Sequence, residues 1–577
     1  MPGLLVRAAM EIRTLIEHAR GQAPADLLLA NARVVDVLGG EIVPADVAVY
    51  GSRIVGLGAY EAAERVDLGG AYLAPGFIDA HVHIESAMVP PGEFARAVAP
   101  CGTTTVITDP HEIANVLGLD GIRYMFESAK YGPLSMYVML SACVPASSMA
   151  TSGAVLRWYD LSSLKSDPWV LGLAEVMNVP GVIATDDEVL DKLRSFAGGA
   201  IDGHAPRLGG RELQAYVAAG IQSDHECTTA EEAHEKLRLG MTIFIREGSV
   251  ARNLAALLPL ITPANHHRMC FCTDDRQPSD LMDHGHIDGM VRAAIAGGLE
   301  PMTAIRLATW NTASHFRLWD RGAVTPGRRA DLVVFDDLGA PRPRLVLRGG
   351  TVVARDGEMV LPPRGSAPRQ LRSTMNVAWD KVDFRIPAAG RRARVIGVRA
   401  GELSTDCLIE EPARRGGEAV ADPSRDLLKI AVIERHLASG GIGKGFVSGV
   451  GLVRGALASS VAHDHHNLVV VGADDESMET AARRVGALHG GWVVAEGARV
   501  VAEVPLPIAG LMSGEPLPAV RRAVDAADQA AARLGARLPS PFMAISFLGL
   551  EVIPSLKLTD KGLVDVERFE IVPLWAS

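Results

Sequence analysis

The stretch P-G-F-I-D-A-H-V-H-I-E, residues 75–85, decides how this chain is read. Phe77, Ile78 and Ala80 form an apolar run too short for a helix and bounded by Pro75-Gly76, so the spacing predicts a buried strand. Side chains alternate faces along a strand, which turns His81 and His83 the same way at its C-terminal end. Two imidazoles on one face can share a divalent cation, and zinc, iron and manganese all accept nitrogen donors. A bare H-x-H is equally well a pair of ordinary polar residues. Only metal-type side chains at the ends of other strands would separate the two readings.

Outward from this stretch the chain supplies them. Strand-like segments follow at Thr103–Asp109, Tyr137–Val144, Trp169–Val176, Ala200–His204, Ile221–His225, Met241–Arg246 and Met269–Thr273. Helical patterns lie between several of them, including Pro91–Ala99, Asp187–Phe196, Gly210–Ala219 and Ala230–Leu239. Strands alternating with helices in this number predict a (β/α)8 barrel, whose active site gathers at the C-terminal strand ends. An open doubly wound sheet is the alternative, but no G-x-G-x-x-G follows the first strand. Strand four ends in A-E-V-M-N with Glu175, strand five in D-G-H-A-P with His204, strand six in S-D-H-E with His225, and strand eight in C-T-D-D-R with Asp274. With His81 and His83 these make a six-residue candidate metal set. A carboxylate such as Glu175 can bridge two cations, so a binuclear centre is expected. Such cations turn water into hydroxide near neutral pH, and Asp274 could carry its proton to a leaving group. The residues alone predict metal-assisted hydrolysis and leave the bond unchosen.

The β-rich segments Asp26–Val35 and Asp46–Leu57 precede the barrel, and similar ones, Gly322–Asp337 and Leu345–Arg355, follow it. They are expected to pair into one β-sandwich carrying the barrel as an insert. The expected division is 1–74 (N-terminal helix and first sandwich half), 75–320 (barrel), 321–365 (second sandwich half) and 366–577 (a separate α+β domain). The last two meet at a proline- and arginine-rich linker beginning at Pro362. A chain of 577 residues with 48% hydrophobic residues can bury several cores. Its net charge of -11 argues against a nucleic-acid partner. No run of 18 apolar residues predicts a membrane span, and six cysteines without C-x-x-C form no disulfide framework. A soluble, cytoplasmic protein is expected.

At the level of motifs, H-V-H-I-E-S, T-D-P-H-E-I-A-N-V, G-L-A-E-V-M-N, D-G-H-A-P and C-T-D-D-R-Q-P resemble the adenine deaminase family of the amidohydrolase superfamily. The likeness continues into the tail through G-I-G-K-G-F-V-S-G-V-G-L and A-H-D-H-H-N. It implies hydrolytic deamination of adenine to hypoxanthine and ammonia on two divalent ions, Mn(II) or Fe(II), with Zn(II) as an alternative. The partner implied is a small purine base, and a homo-oligomer, with a dimer favoured, is expected. Many binuclear relatives place a carboxylated lysine at the strand-four end, where this chain has Glu175. Many mononuclear deaminases carry H-x-E at strand five, where Ala205-Pro206 follows His204, so the proton role moves to Asp274. The cytidine-deaminase signature fails as well: His83-Ile84-Glu85 matches H-x-E, but no P-C-x-x-C follows.

Glu85, His111, Glu112, Arg246, Glu247 and Arg276 follow strands at the same rim and are the candidate substrate contacts, with solvated loop residues as the plainer reading. His463-Asp464-His465-His466 reads equally as a partner-facing or site-covering loop or as a solvated polar turn. A cyclic-amide hydrolase on the same fold is the nearest alternative function, and a non-enzymatic metal-binding scaffold is the rival from another class.

Overall fold

The computed structural model describes residues 12–130, 132–360 and 371–576. Residues 12–19 are helical, within the expected N-terminal helix, whose first part lies outside the described residues. So do residues 362–370 of the expected linker, and with them the 365/366 boundary.

The central unit is a curled parallel sheet. Its strands are β1 (Phe77–His83), β2 (Thr103–Thr108), β3 (Ser135–Leu140), β4 (Val170–Val176), β5 (Ala200–Gly203), β6 (Ser223–Asp224), β7 (Thr242–Arg246) and β8 (Met269–Cys272). Strands β1 to β5 pair in sequence, as do β6 to β8. The seam between β5 and β6 is carried by the Gln222 amide donating to the Ile201 carbonyl at 2.9 Å. The curl closes where Asp274 and Asp275 pair in parallel with β1, opposite Val82 and His83. Hydrogen bonding thus brings the end of the last strand beside the histidines of the first. Each strand is buried on both faces, which is why these segments read as apolar runs rather than as alternating ones. At the end of β5, a Cβ on Gly203 would lie 2.4 Å from the Ser223 carbonyl, so only glycine lets β5 and β6 approach this closely.

The flanks join as their patterns predict. Tyr72–Pro75 runs antiparallel to Leu332–Phe335, and strands from both sides of the barrel form one nine-stranded sheet. It encloses a core that includes Leu27, Val47, Leu73, Val334 and Leu347.

Beyond residue 371 a second nine-stranded sheet carries the helices Asp475–Ala487 and Leu517–Arg533. Residues 491–505 form a hairpin, Gly491–Glu496 with Arg499–Pro505, turning at Gly497, whose φ is 55°. One apolar cluster runs from Val82, Ile113 and Leu140 of the barrel to Val461, Leu506 and Leu548 of this unit. The C-terminal unit is therefore packed onto the barrel, over the end where the strands finish. Among the described residues no helix is long and apolar enough to cross a membrane.

Candidate metal centre

The six metal-type side chains converge. His81 and His83 bring their Nε2 atoms to 3.1 Å from each other. His83 Nδ1 lies 2.9 Å from the Asp109 carbonyl, which can only accept, so the proton sits on Nδ1 and the Nε2 lone pair faces inward. Glu175 stands between two histidine pairs. Its Oε1 is 3.2 Å from His83 Nε2 and 3.7 Å from His81 Nε2, while its Oε2 is 2.8 Å from His204 Nδ1 and 3.2 Å from His225 Nε2. Asp274 Oδ1 completes the first side at 3.1 Å from His83 Nε2 and 3.6 Å from His81 Nε2. All six side chains are buried.

These residues fit divalent cations. The ligand atoms of His81, His83 and Asp274 all lie within 4.8 Å of one another, as do those of His81, Glu175 and His225. His204 Nε2 is buried without a hydrogen-bond partner, and two imidazole nitrogens facing each other need a cation or a proton between them. The titration of the cluster shows the same crowding. Burial and then the His225 charge push His81 well below the ordinary histidine range. Burial opposes the charge on His225 too, yet Glu175 lifts it to about 9. Against the same burial, His225 and the hydrogen bond from His204 hold the Glu175 carboxyl well below the usual carboxylate range.

Around this set lies a second layer in which the sequence reading singled out Arg246 and His111, as substrate contacts, but not Glu226, Asp224 or Lys236. Arg246 donates to Asp274 Oδ2 at 2.7 Å and grips Glu226 with both terminal nitrogens. Buried Lys236 donates to the Ala205 carbonyl at 2.7 Å and to Asp224 Oδ2 at 3.0 Å, tying the segments that carry His204 and His225. Asp109 accepts from Ser141 Oγ at 2.7 Å and faces His111 Nδ1 at 2.9 Å. Asp275 departs from strand alternation: Asp274 has a φ of 55°, so both carboxylates line the same pocket, and Asp275 accepts from Ser86 Oγ at 2.5 Å. Burial and then the Asp274 charge push the Asp275 carboxyl up.

The candidate substrate contacts divide. His111 and Glu112 line the pocket beside Glu175. Glu85 is buried next to it and accepts from the Ile113 amide at 3.2 Å; burial pushes its carboxyl up to about 7. Arg246 is in the pocket, but its two terminal nitrogens are engaged by Asp274 and Glu226. Glu247 and Arg276 instead line a separate groove with Arg252 and Arg342. The Leu254 amide draws Glu247 away at 2.8 Å, and Arg276 reaches the His286 carbonyl at 3.4 Å.

The histidine-rich loop of the C-terminal unit covers the site. His463, Asp464, His465 and His466 are all buried, and His463 and His466 both meet the Glu112 carboxylate. The polar-turn reading is thereby set aside. Leu403, Phe547, Leu550 and Ile553 add an apolar wall to the same pocket.

Residues 72–360 match the amidohydrolase family, and residues 402–570 match the adenine deaminase C-terminal domain. An adenine deaminase of Desulfatibacillum aliphaticivorans is 50% identical over 97% of this chain and 99% of its own. One from Cereibacter sphaeroides is also 50% identical, again over 97% of this chain and 99% of its own. The chain belongs to the adenine deaminase family. All six metal-type residues lie in the amidohydrolase part of this family member, and the 463–466 loop lies in the adenine deaminase C-terminal domain. The lid is thus drawn from the region that carries the family's own name.

Proposed function

We propose that the protein hydrolyses adenine to hypoxanthine and ammonia at this centre. The observation that carries the proposal is the placement of Glu175, one oxygen toward His81 and His83 and the other toward His204 and His225, in a chain whose relatives are adenine deaminases. His81, His83 and Asp274 would hold one cation, His204 and His225 the other, and Glu175 both. The mixed nitrogen and oxygen donors suit Mn(II) or Fe(II), and Zn(II) fits as well. When bound, the cations make water a nucleophile at neutral pH.

The chain's own groups then have definite work. Water adds its oxygen to the amino-bearing carbon of the purine, the C–N bond breaks, and ammonia leaves with a proton taken from that water. Asp274 is the carrier: Oδ1 faces His81 and His83, and Oδ2 is fixed by Arg246. Arg246 also holds the Asp274 carboxyl well below the usual range against the opposing effect of burial, which keeps it ionised. Leu403, Phe547, Leu550 and Ile553 offer flat apolar surface to a purine ring and keep bulk water out. A second reading assigns the proton to Asp275, because it lines the same pocket and its carboxyl is pushed up rather than down.

Purified protein should release ammonia and hypoxanthine from adenine, lose the activity on chelation and regain it with Mn(II) or Fe(II). Turnover of dihydropyrimidine or hydantoin rings, with no ammonia from adenine, would move the protein to the cyclic-amide hydrolases.

A further inference from the structure

A second group of ligand-type side chains lies against the first, at the contact between barrel and C-terminal unit. We propose that His111, Glu112 and Asp464 bind a further divalent cation, distinct from those of the Glu175 centre.

The donors are pre-oriented. His111 Nδ1 faces Asp109 Oδ2 at 2.9 Å, and Asp109 Oδ1 is fixed by Ser141 Oγ at 2.7 Å. A proton on Nδ1 leaves the Nε2 lone pair pointing to the other side of the ring, an arrangement in which a carboxylate behind a histidine raises its strength as a ligand. On that side Nε2 lies 3.5 Å from Glu112 Oε1 and 3.7 Å from Asp464 Oδ1. Donors about 2.1 Å from one ion sit about 3.0–3.4 Å apart at octahedral or tetrahedral angles, so a small inward shift closes the set. The ligand atoms of the three residues all lie within 4.8 Å of one another.

Glu112 is likewise held from behind. The Ala462 amide donates to His466 Nδ1 at 3.1 Å, which puts the His466 proton on Nε2, and that N–H donates to Glu112 Oε2. Oε1 already meets His463 Nδ1 at 2.5 Å, and its second lone pair is what it offers the ion.

Asp464 supplies the independent observation. Its side chain is 3% exposed, and its Oδ2 has no hydrogen-bond partner. His463 Nε2 is buried and unpartnered as well. A buried carboxylate without donors is costly unless a cation compensates it. One dication balances the two carboxylates, and the histidine adds the nitrogen that favours a first-row transition ion over magnesium or calcium. His111 and Glu112 belong to the barrel and Asp464 to the C-terminal unit, so the ion pins the 463–466 loop over the site.

This inference rests on the binuclear reading only for its count, and its test separates the two. Chelated protein reconstituted with Mn(II) and freed of excess metal should hold three ions per chain by mass spectrometry, and Asp464→Asn should hold two. Glu175→Gln should lose ions from the main centre and keep the one that Asp464→Asn removes. Anomalous scattering at the manganese edge from wild-type crystals needs no variant to fold, and should place a peak within coordinating distance of Asp464, His111 and Glu112. Wild-type protein that saturates at two ions with no peak beside Asp464 overturns the proposal. So does an Asp464→Asn variant that folds and keeps all three. Loss of the Glu175-dependent ions alone bears only on the main centre.

Discussion

Arg246 donates to Asp274 Oδ2 at 2.7 Å while the same guanidinium clasps the Glu226 carboxylate in a two-pronged contact. Strand β7 therefore contributes no direct ligand to the Glu175 set. It supplies a buried cation that sets the angle of one carboxylate by holding another. Arg246→Met removes the charge and leaves two buried carboxylates facing each other. Truncating one member of such a buried pair costs about 3–5 kcal/mol, so the variant should melt well below wild type. Arg246→Lys keeps the charge but not the planar fork, and should recover stability better than turnover. Thermal melts and steady-state kinetics on the pair check this; equal losses in both quantities for the lysine variant would mean that the fork has no orienting role.

Glu175 is the next test, because one carboxylate oxygen faces each histidine pair. Glu175→Gln keeps the shape but cannot balance two dications, so metal content and rate should fall together. Mass spectrometry of the purified variant reads the first and ammonia release the second. Wild-type metal content with wild-type rate would remove Glu175 from the bridging position.

The strand-end logic made most of this centre legible. His81, His83, Glu175, His204, His225 and Asp274 each lie within two residues of a strand's C-terminal end, and parallel barrels gather such ends at one face. What escaped has physical reasons. On a regular strand Asp275 would face away from Asp274, but the left-handed backbone at Asp274 breaks the two-residue alternation. Glu247 and Arg276 follow strands in sequence but are pulled outward by the Leu254 amide and the His286 carbonyl, partners set by the local turn rather than by the barrel. His463 and Asp464 come from a loop far along the chain, between the strands Ala456–Ser459 and Leu468–Gly472. No periodicity in that loop signals which surface it will cover; the shared apolar core and the contacts of His463 and His466 with Glu112 bring it to the barrel.

Lys236 is one hydrogen bond from each of the segments that carry His204 and His225. It is fully buried and bonded to the Ala205 carbonyl, Asp224 and Glu232. Lys236→Met should destabilise the fold by about 3–5 kcal/mol by stranding Asp224, and should weaken metal retention through His204 and His225. Denaturant unfolding of the metal-free protein isolates the first effect, and competition with a chelator isolates the second. Unchanged retention in a folded variant would make Lys236 a purely structural lysine.

Asp528, on the Leu517–Arg533 helix, gives a prediction about pH. Burial, followed by the nearby Asp525 charge, pushes its carboxyl up to about 7. The folded state therefore keeps a proton that the unfolded chain has already released between the ordinary carboxylate range and about 7. Stability falls as pH rises through that window, and the penalty is complete above it. Asp528→Asn removes the penalty, so its melting temperature should exceed that of wild type by a margin that grows from pH 5 to pH 7 and then levels. A margin independent of pH would show that Asp528 ionises in the fold as it does in water.

The proton carrier is the sharpest choice the site presents, because Asp274 and Asp275 share one pocket with opposite leanings: Arg246 holds the first carboxyl down, while burial and Asp274 push the second up. Deamination needs a proton at the exocyclic nitrogen as the C–N bond breaks, since an amide anion is a poor leaving group. General acid-base assistance of this kind is worth about two to four decades of rate. Asp274→Asn keeps the shape but cannot accept the proton, so kcat should fall by about two decades or more, and metal content should survive better than in Glu175→Gln. Asp275→Asn removes the charge but keeps an oxygen that can accept from the Ser86 hydroxyl and leaves Asp274 in place, and should cost about tenfold or less. Measuring kcat and bound metal on the same preparations separates loss of the carrier from loss of an ion. Near-normal turnover in Asp274→Asn beside an inactive, metal-replete Asp275→Asn would transfer the role to Asp275, and with it the significance of the left-handed turn that aims both carboxylates into one pocket.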